Sequence, residues 1–361
     1  MKRLKLITVM LALLLAAMVM VPMVSAGEQT SNGDNFQLPH LQLDNSQPKV
    51  VIQNGFSFSK SNNQTPIPEG AIIQHTENGI TRVFDSNGKQ LIISNDIESS
   101  KIPTPYGYIS AAKITQVPEG SFIQENDNGT TNIYLKDKRI LTILNPASTK
   151  TQIPSSSGWI ESSQSWGISN MGQFIADWVV PSSPPNSQTG AINYIFNGIQ
   201  PSGGGGIVQP VLEYNVYGTN HQWTATPWYV DQYVNGYYGN RISTASGHMI
   251  RGTLGWNSNL NRWNIMVSDL SNGGYSSEFS TNAPNIGTNN VAAVCALEGY
   301  YINNNNDVSG TMAFQNMKFK DVNLNPISFS WSSQINNNMG LTNLGVTWSG
   351  MTPVVLWTAN T

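Results

Sequence analysis

The second half of the chain, from Gly158 to Thr361, alternates short apolar runs with clusters of Asn, Gly, Ser and Pro. No stretch there has the period of an amphipathic helix, and each run has the length of a strand. The runs read FIADWVV, AINYIFNGI, GIVQPVLEY, HMIRGTLGW, RWNIMVSDL, VAAVCALEGYYI and TMAFQNMKF. Many short strands separated by turn residues are typical of two packed antiparallel sheets. The sequence therefore predicts an all-β fold over residues 151–361, an antiparallel two-sheet sandwich.

An internal repeat precedes this region. IPEGAIIQHTENGITRVFDSNGKQLIISN begins at Ile67, and VPEGSFIQENDNGTTNIYLKDKRILTILN begins 50 residues later at Val117. Each copy contains a strand pattern, an Asn-Gly turn signal and two more strand patterns. Two copies are too few for a solenoid, so we interpret residues 67–150 as a β-rich pro-segment or accessory unit. Residues 27–66 form a polar leader, and 147–158 are predicted to be an exposed linker and processing site.

The N-terminus has the organisation of a secretory signal. A basic start, MKRLK, leads into a long apolar run that ends with the small residues of Val24-Ser25-Ala26. This pattern is typical of a cleaved signal peptide over residues 1–26 and predicts a secreted, extracellular protein. The apolar run is also long enough to span a bilayer. An uncleaved N-terminal membrane anchor is therefore the alternative.

Composition narrows the function classes. Charged residues make up 11% of the chain and the net charge is −3, without a basic patch of the kind that binds nucleic acid. The single cysteine, Cys295, has no internal disulfide partner. A chain with so few ionised groups loses few ion pairs when carboxylates protonate, which suits an acidic medium.

Several common catalytic patterns are absent from the sequence. None of the four histidines lies in a metal-binding spacing, and neither a Gly-x-Ser-x-Gly motif nor a calcium loop occurs. We therefore expect no metal and no cofactor. Cys295 has two interpretations, a thiol nucleophile or a small buried side chain within AAVCAL.

Two polar residues interrupt apolar strands. Glu298 lies within VAAVCALEGYYI, and burial there raises the pKa of a carboxyl into the range of a general acid or base; an edge-strand Glu facing water is the alternative. Gln209 lies in GIVQPVLEY, where an amide can donate to an oxyanion or simply pair with a neighbouring strand. Strand alternation puts Glu298 on one face with Tyr300 and puts Cys295 on the other.

Several segments together resemble a known family. SQSWGISNMGQFIADWVVP contains a Trp-Gly pair at Trp166 and a W-x-V-P strand that begins at Trp178. INYIFNGIQPSGGGGIVQPVLEY, NHQWTATPWYV, VCALEGYYI and SGTMAFQNMKF follow in that order. In order and spacing, over about residues 160–360, these motifs resemble the eqolisins, which are glutamic peptidases.

The resemblance implies a secreted acid endopeptidase, made as a pro-protein, with a lectin-like sandwich and its site on the concave face. Gln209 falls on the family's catalytic glutamine and Glu298 on its catalytic glutamate, which act with one water and no metal. Phe196, Trp228 and Tyr300 are expected to line the groove that binds protein or peptide substrates. The pro-segment is expected to be an intramolecular inhibitor, and the enzyme to be a monomer.

The sequence departs from the family pattern beside these residues. Phe196 stands where the family has Trp, Gln200 stands in place of an acidic residue or Gly, and Pro210 follows the glutamine in place of a small residue. The family's disulfides are absent. These departures bear on the specificity of the cleft and on activity.

Three other functions fit parts of the pattern. Exposed Trp and Tyr on a concave β face are typical of a carbohydrate-binding, lectin-like module. A glycoside hydrolase on the same sandwich needs two carboxylates, for which Glu298 and Glu213 are the candidates. The β-repeats and an uncleaved anchor also fit a structural surface protein.

Overall fold

The computed structural model describes most of the chain from Lys49 onward. The described residues are 49–52, 56–60, 63–67, 71–75, 80–85, 87, 90–95, 101–110, 113–126, 130–136, 140–144 and 158–358 without 188, 217–218 and 337–338. The predicted signal peptide, the two Asn-Gly turns of the repeats and the linker up to residue 157 lie outside these residues. No helix within the described ranges is long and apolar enough to cross a membrane.

The N-terminal segment, from Lys49 to Leu144, contains twelve strands among its described residues. They are β1 (Lys49–Ile52), β2 (Phe56–Lys60), β3 (Asn63–Ile67), β4 (Ile72–His75), β5 (Ile80–Phe84), β6 (Gln90–Asn95), β7 (Lys101–Thr104), β8 (Gly107–Ser110), β9 (Ile114–Gln116), β10 (Phe122–Glu125), β11 (Thr130–Tyr134) and β12 (Ile140–Leu144). Each repeat folds into three antiparallel strands, β4–β6 in the first and β10–β12 in the second. The three strand patterns read from each repeat are therefore confirmed.

The C-terminal part contains fifteen strands. They are β13 (Trp159–Ile168), β14 (Met171–Val179), β15 (Ile192–Pro201), β16 (Ile207–Tyr214), β17 (Trp223–Val230), β18 (Gly236–Tyr238), β19 (Ile242–Ser243), β20 (Met249–Asn257), β21 (Arg262–Asp269), β22 (Tyr275–Thr281), β23 (Val291–Tyr300), β24 (Met312–Asp321), β25 (Ser332–Ile335), β26 (Gly345–Trp348) and β27 (Val354–Trp357). A single 3₁₀ turn, Asn305–Asp307, is the only helical element among the described residues of this part. The all-β prediction is confirmed.

Two large sheets dominate the fold. One has the strand order β25-β13-β23-β15-β16-β17-β18-β9, with β19 paired to β17. The other runs β26-β27-β24-β14-β20-β21-β22-β10-β11-β12-β1-β4-β5-β6. Between them lies an apolar core that includes Trp178, Trp263, Leu212 and Leu297. Two sheets that each bury one face against the other form a sandwich.

The sheets are mixed, which corrects the antiparallel prediction. Strands β13 to β27 pair only antiparallel, as expected, but β9 pairs parallel with β18 and β10 pairs parallel with β22. The N-terminal segment therefore extends both sheets and does not merely precede the sandwich. The expected leader contains strands as well: β1, the run KVVI, lies between the two repeats and pairs with β12 and β4. Its four residues are too few to show a period in the sequence.

The strands that carry the predicted site residues are buried on both faces. In β16, Val208 and Leu212 face the core between the sheets, whereas Ile207 and Val211 belong to a second apolar cluster on the outer face. The same division holds in β23, where Cys295 faces the core and Ala296 faces the second cluster. The hairpin β7–β8 from the N-terminal segment contributes Tyr106 and Ile109 to this second cluster. This outer face is therefore covered by the chain's own hairpin.

Candidate functional site

Three neighbouring strands position the two predicted catalytic side chains. Glu298 lies on β23 and Gln209 on β16, and β15 runs between these strands and pairs with both. The residues two positions away from each, Ala296, Tyr300, Ile207 and Val211, all belong to the outer cluster. Because side chains alternate across a strand, Glu298 and Gln209 project from the same face of the sheet.

Glu298 is a fully buried carboxyl in the middle of a sheet. The edge-strand alternative is wrong, because β23 is hydrogen-bonded to β13 on one side and β15 on the other. The Tyr300 hydroxyl donates to Oε1 of Glu298. Burial raises the pKa of Glu298 to about 8, and the nearby Tyr300 hydroxyl, Gly107 amide and Trp159 indole oppose this rise. The carboxyl is thus held protonated at acidic and neutral pH.

Gln209 is also fully buried, and its amide contacts a peptide carbonyl. Nε2 of Gln209 donates a 2.6 Å hydrogen bond to the backbone carbonyl of Pro105. Its Oε1 has no hydrogen-bond partner among the described residues. A buried acceptor without a hydrogen-bond partner is costly in free energy.

The partner of Gln209 belongs to the hairpin β7–β8, whose tip Thr104–Gly107 lies over the site. Two further contacts hold the hairpin there. The Tyr194 hydroxyl donates to the Pro103 carbonyl at 2.9 Å. The ring of Tyr108 packs edge-on against Tyr300 with centroids 4.8 Å apart. A segment of backbone thus lies between the amide of Gln209 and the carboxyl of Glu298.

The three predicted groove residues lie on this face but beneath the hairpin. Phe196 is fully buried and packs edge-on against Trp159, with ring centroids 5.8 Å apart. Trp228 stacks on Tyr238 at 5.0 Å, and Tyr300 contacts Glu298 through its hydroxyl. These aromatic side chains therefore surround a site that the hairpin fills, and their role in binding substrate stays a prediction.

Glu213, the second carboxylate of the glycoside hydrolase alternative, is saturated with donors. It accepts hydrogen bonds from Thr224 at 3.2 Å, Thr226 at 3.0 Å and the Trp228 indole at 2.7 Å. Arg241 Nε completes the set at 2.9 Å. A carboxylate with four donors is held in place as a structural anion and offers no free oxygen to a water.

Sequence reasoning missed two contributors to the site. Gly158 accepts a backbone hydrogen bond from Gly299 at 2.7 Å, and a β-carbon added to it would lie 2.6 Å from Cζ of Tyr300. Only glycine therefore fits beside the Tyr300 ring. The hairpin was missed although its sequence, KIPTPYGYIS, carries a Pro-Tyr-Gly turn between two short alternating stretches. That signal lies between the two repeats, outside the three strand patterns predicted in each.

Two further carboxyls meet at the seam between the N-terminal segment and the sandwich. The Tyr229 hydroxyl donates to Glu125 of β10. Burial raises the pKa of Glu125 to about 8, and the charge of Asp231 adds to that rise. Burial also raises the pKa of Asp231 to about 6. Both carboxyls therefore keep a proton to a higher pH than exposed carboxyls do while the segment is docked.

The nucleophile interpretation of Cys295 finds no support in its surroundings. The side chain is fully buried in the core, its sulfur lies 4.0 Å from that of Met317, and burial raises its pKa well above the usual range. An inert thiol is the expected result of such burial. No group of three or more His, Cys, Asp or Glu side chains that could hold a metal occurs within the described part of the chain.

Comparison with known proteins finds structural similarity only. No protein-family model matches the chain, and no curated protein matches it. The structure is similar to scytalido-glutamic peptidase bound to a peptide-based transition-state analogue, with a TM-score of 0.42, 17% identity and coverage of 57% of this chain and 100% of that one. It is similar over the same shares of both chains to SCP-B, a member of the eqolisin family of peptidases, in complex with the tripeptide Ala-Ile-His, with a TM-score of 0.40 and 17% identity.

Proposed function

We propose that the protein is a secreted acid endopeptidase, made as a pro-protein, that hydrolyses peptide bonds with Glu298 and Gln209. One observation carries the proposal. The carbonyl oxygen of Pro105, a peptide carbonyl, accepts a hydrogen bond from the buried side-chain amide of Gln209, on the same face of the sheet where Glu298 is buried. The site thus binds polypeptide backbone with the two kinds of group that peptide hydrolysis needs, a hydrogen-bond donor for the carbonyl oxygen and a proton carrier.

In the proposed mechanism, the hairpin leaves the site first, and contact with solvent lowers the pKa of Glu298 so that its carboxylate form becomes accessible. That carboxylate takes a proton from a water as the water attacks the scissile carbonyl carbon. Gln209 holds the water through its unpartnered Oε1 and donates through Nε2 to the oxygen that becomes the oxyanion. Glu298 then passes the proton to the leaving nitrogen as the carbon–nitrogen bond breaks. The products are one new carboxyl group and one new amine, and no metal takes part.

The acid part of the proposal is supported by the buried carboxyls. Burial raises the pKa of Glu125, Glu161 and Glu298 to about 8. Each such group contributes stability that is fully present below its unfolded pKa of about 4.5 and is lost as the pH rises through about 8. A protein with several such groups is best suited to an acidic medium.

The pro-protein part is supported by the hairpin. Residues 101–110 cover Glu298 and Gln209, so a substrate reaches them only after the hairpin has moved. The predicted linker at 147–158 offers a point for cutting the N-terminal segment from the sandwich. Because β9 and β10 extend both sheets, release of the segment requires more than that single cut.

The test follows the chain from Gly27 onward after acidification to about pH 3.5, where few carboxyls remain ionised. We expect loss of the N-terminal segment by mass spectrometry and digestion of denatured casein. Glu298→Gln should do neither, and Gln209→Ala should be slower by about 10²–10³-fold. The exposed Glu278→Gln is the matched control and should behave as the wild type. A Glu298→Gln variant that is folded and fully active would contradict the proposed mechanism.

The two-carboxylate alternative has a weaker basis, because Glu213 is saturated with donors. The lectin-like alternative predicts glycan binding by the acidified protein without digestion of casein. The same samples can be applied to a glycan array. Binding without turnover would favour that alternative.

A further inference from the structure

The tip of the hairpin places one particular peptide bond on the candidate catalytic groups. Gln209 donates to the carbonyl of Pro105, and the backbone amide of Gly107 lies close enough to Glu298 to lower the pKa of its carboxyl. The carbonyl that accepts from Gln209 belongs to the Pro105–Tyr106 bond. If the site acts as proposed above, Tyr106 therefore occupies the place of the residue that follows the scissile bond.

The side chain of Tyr106 fills an apolar pocket on this face. It is 9% exposed and belongs to the outer cluster of the sheet. The other members of that cluster include Trp159, Phe196, Ile207, Val211, Val230 and Val294. An aromatic ring buried in such a pocket contributes strongly to binding.

The glycine-rich loop supplies a polar end to this pocket. The backbone N–H of Gly206 points at the Tyr106 hydroxyl, 3.4 Å away, and the backbone of Gly205 also interacts with the hydroxyl. Gly204, Gly205 and Gly206 have φ of +75°, +97° and +128°, a region that favours glycine. The Asn285 side chain donates to the carbonyl of Gly205 and holds the loop in this shape.

We propose that the site selects tyrosine as the residue directly after the scissile bond, with the phenol oxygen recognised by the backbone of Gly205 and Gly206. This inference rests on the proposed function. The hairpin occupies the same pocket as the substrate, so it inhibits by presenting a substrate-like tyrosine. Recognition of the phenol oxygen also gives the glycines before β16 a role in binding, in addition to the positive φ that Gly204, Gly205 and Gly206 supply to the turn.

The hairpin can occupy the site without being cleaved and released. Thr104 and Gly107 pair across the tip, and Thr104 Oγ1 donates to the Gly107 carbonyl at 2.7 Å. The pairing continues down the hairpin to Lys101 and Ser110. A cut between Pro105 and Tyr106 would leave both new ends held by this ladder, so they would stay in place and rejoin. A linear peptide has no such restraint.

The test uses linear peptides with the hairpin sequence KIPTPYGYIS and the acid-processed chain. Tyrosine at the position of Tyr106 is compared with phenylalanine, leucine and alanine, and the products are identified by mass spectrometry. We expect cleavage after the proline, with kcat/KM about tenfold higher for tyrosine than for phenylalanine because one hydrogen bond is lost. Alanine should be slower still, by about 100-fold, because the apolar pocket stays empty. The matched control replaces the tyrosine at position 108, which is 42% exposed, by phenylalanine and should change the rate less than about twofold.

A protein variant tests the loop independently. Asn285→Ala removes the side chain that holds Gly205, so the preference for tyrosine over phenylalanine should fall from about tenfold to about onefold. Digestion of casein without a tyrosine preference would overturn this inference and leave the proposed function standing. If neither casein nor any peptide is cut, the proposed function fails and the inference fails with it.

Discussion

The indole N–H of Trp228, on β17, donates to Glu213 at 2.7 Å. Glu213 lies on β16, the strand that also carries Gln209 and that pairs directly with β17. Trp228 is also the cross-strand neighbour of Gln209. The sequence placed Trp228 in the wall of a substrate groove. In the structure its polar atom is directed to a buried anion, and its ring stacks on Tyr238. Its effect on the site is therefore to fix the strand beside Gln209.

Replacing Glu213 by Gln should destabilise the protein strongly. The change leaves the Arg241 guanidinium without its partner and puts an amide N–H₂ among groups that donate. Removing one partner of a buried ion pair typically costs about 3–5 kcal/mol. Because the Arg241 side chain is 27% exposed, we expect a loss of about 2–3 kcal/mol in the free energy of unfolding, measured by urea denaturation. The exposed Glu278→Gln should stay within about 0.5 kcal/mol of the wild type.

An unchanged stability for Glu213→Gln would contradict the structural role assigned to this carboxylate. Loss of a glycoside-hydrolysing activity in that stable variant would instead favour the two-carboxylate alternative. The variant thus distinguishes the peptidase proposal, in which Glu213 is structural, from the glycoside hydrolase alternative, in which Glu213 is catalytic.

The pH dependence of stability should follow Glu161. Its Oε1 accepts from the backbone of Gly345 at 2.6 Å, and its Oε2 has no partner among the described residues. Burial raises its pKa to about 8, with the Gly345 amide opposing. Since the folded-state pKa lies above the unfolded value of about 4.5, the stability that Glu161 contributes is fully present below about pH 4.5. It is lost as the pH rises through about 8.

Glu161→Gln, which cannot ionise, is the variant that tests this. At about pH 4 its free energy of unfolding should equal that of the wild type, and at about pH 8.5 it should exceed the wild type by about 2–4 kcal/mol. Urea denaturation at both pH values gives the comparison. Glu278→Gln should show the wild-type profile. A wild-type profile for Glu161→Gln would mean that Glu161 is ionised in the folded protein.

Cys295 should be unreactive in the folded protein. Its thiol is fully buried on the core face of β23, opposite to the face that carries Glu298. A thiol reagent should modify it only after unfolding, and Cys295→Ala should digest casein at the wild-type rate after acid processing. Rapid labelling of the native protein, together with loss of activity in Cys295→Ala, would contradict this prediction and would support Cys295 as a thiol nucleophile.

Strand alternation predicted the two faces of β16 and β23 correctly because both strands are long and almost wholly apolar. In such strands a single polar residue such as Gln209 or Glu298 stands out, and its neighbours two positions away show which face it shares. Both residues are fully buried on the outer face, as the alternation requires. Their catalytic roles stay a prediction.

The cover over this face could not be predicted from local patterns. It depends on β9 pairing with β18 and β10 with β22, contacts between segments more than a hundred residues apart in the chain. Period and turn signals report local structure only and say nothing about which distant strands pair. Local patterns therefore did not predict where the hairpin β7–β8 lies, although the pro-segment that contains it was expected to be an inhibitor.

Gly158 should tolerate no side chain, because it borders both Tyr300 and Glu298. A β-carbon at this position would lie 2.6 Å from Cζ and 2.8 Å from the hydroxyl of Tyr300, and 3.0 Å from Cγ of Glu298. Gly158→Ala must therefore displace the Tyr300 ring from its hydrogen bond with Glu298. We expect the rate of casein digestion after acid processing to fall by about 100-fold, since small displacements of catalytic groups have effects of this size. The matched control is Gly190→Ala, whose β-carbon would meet nothing within 4 Å and which should keep the wild-type rate. Near-ultraviolet circular dichroism and urea midpoints separate a displaced site from a lost fold. A folded Gly158→Ala variant with the wild-type rate would show that the contact between Tyr300 and Glu298 is not needed for turnover.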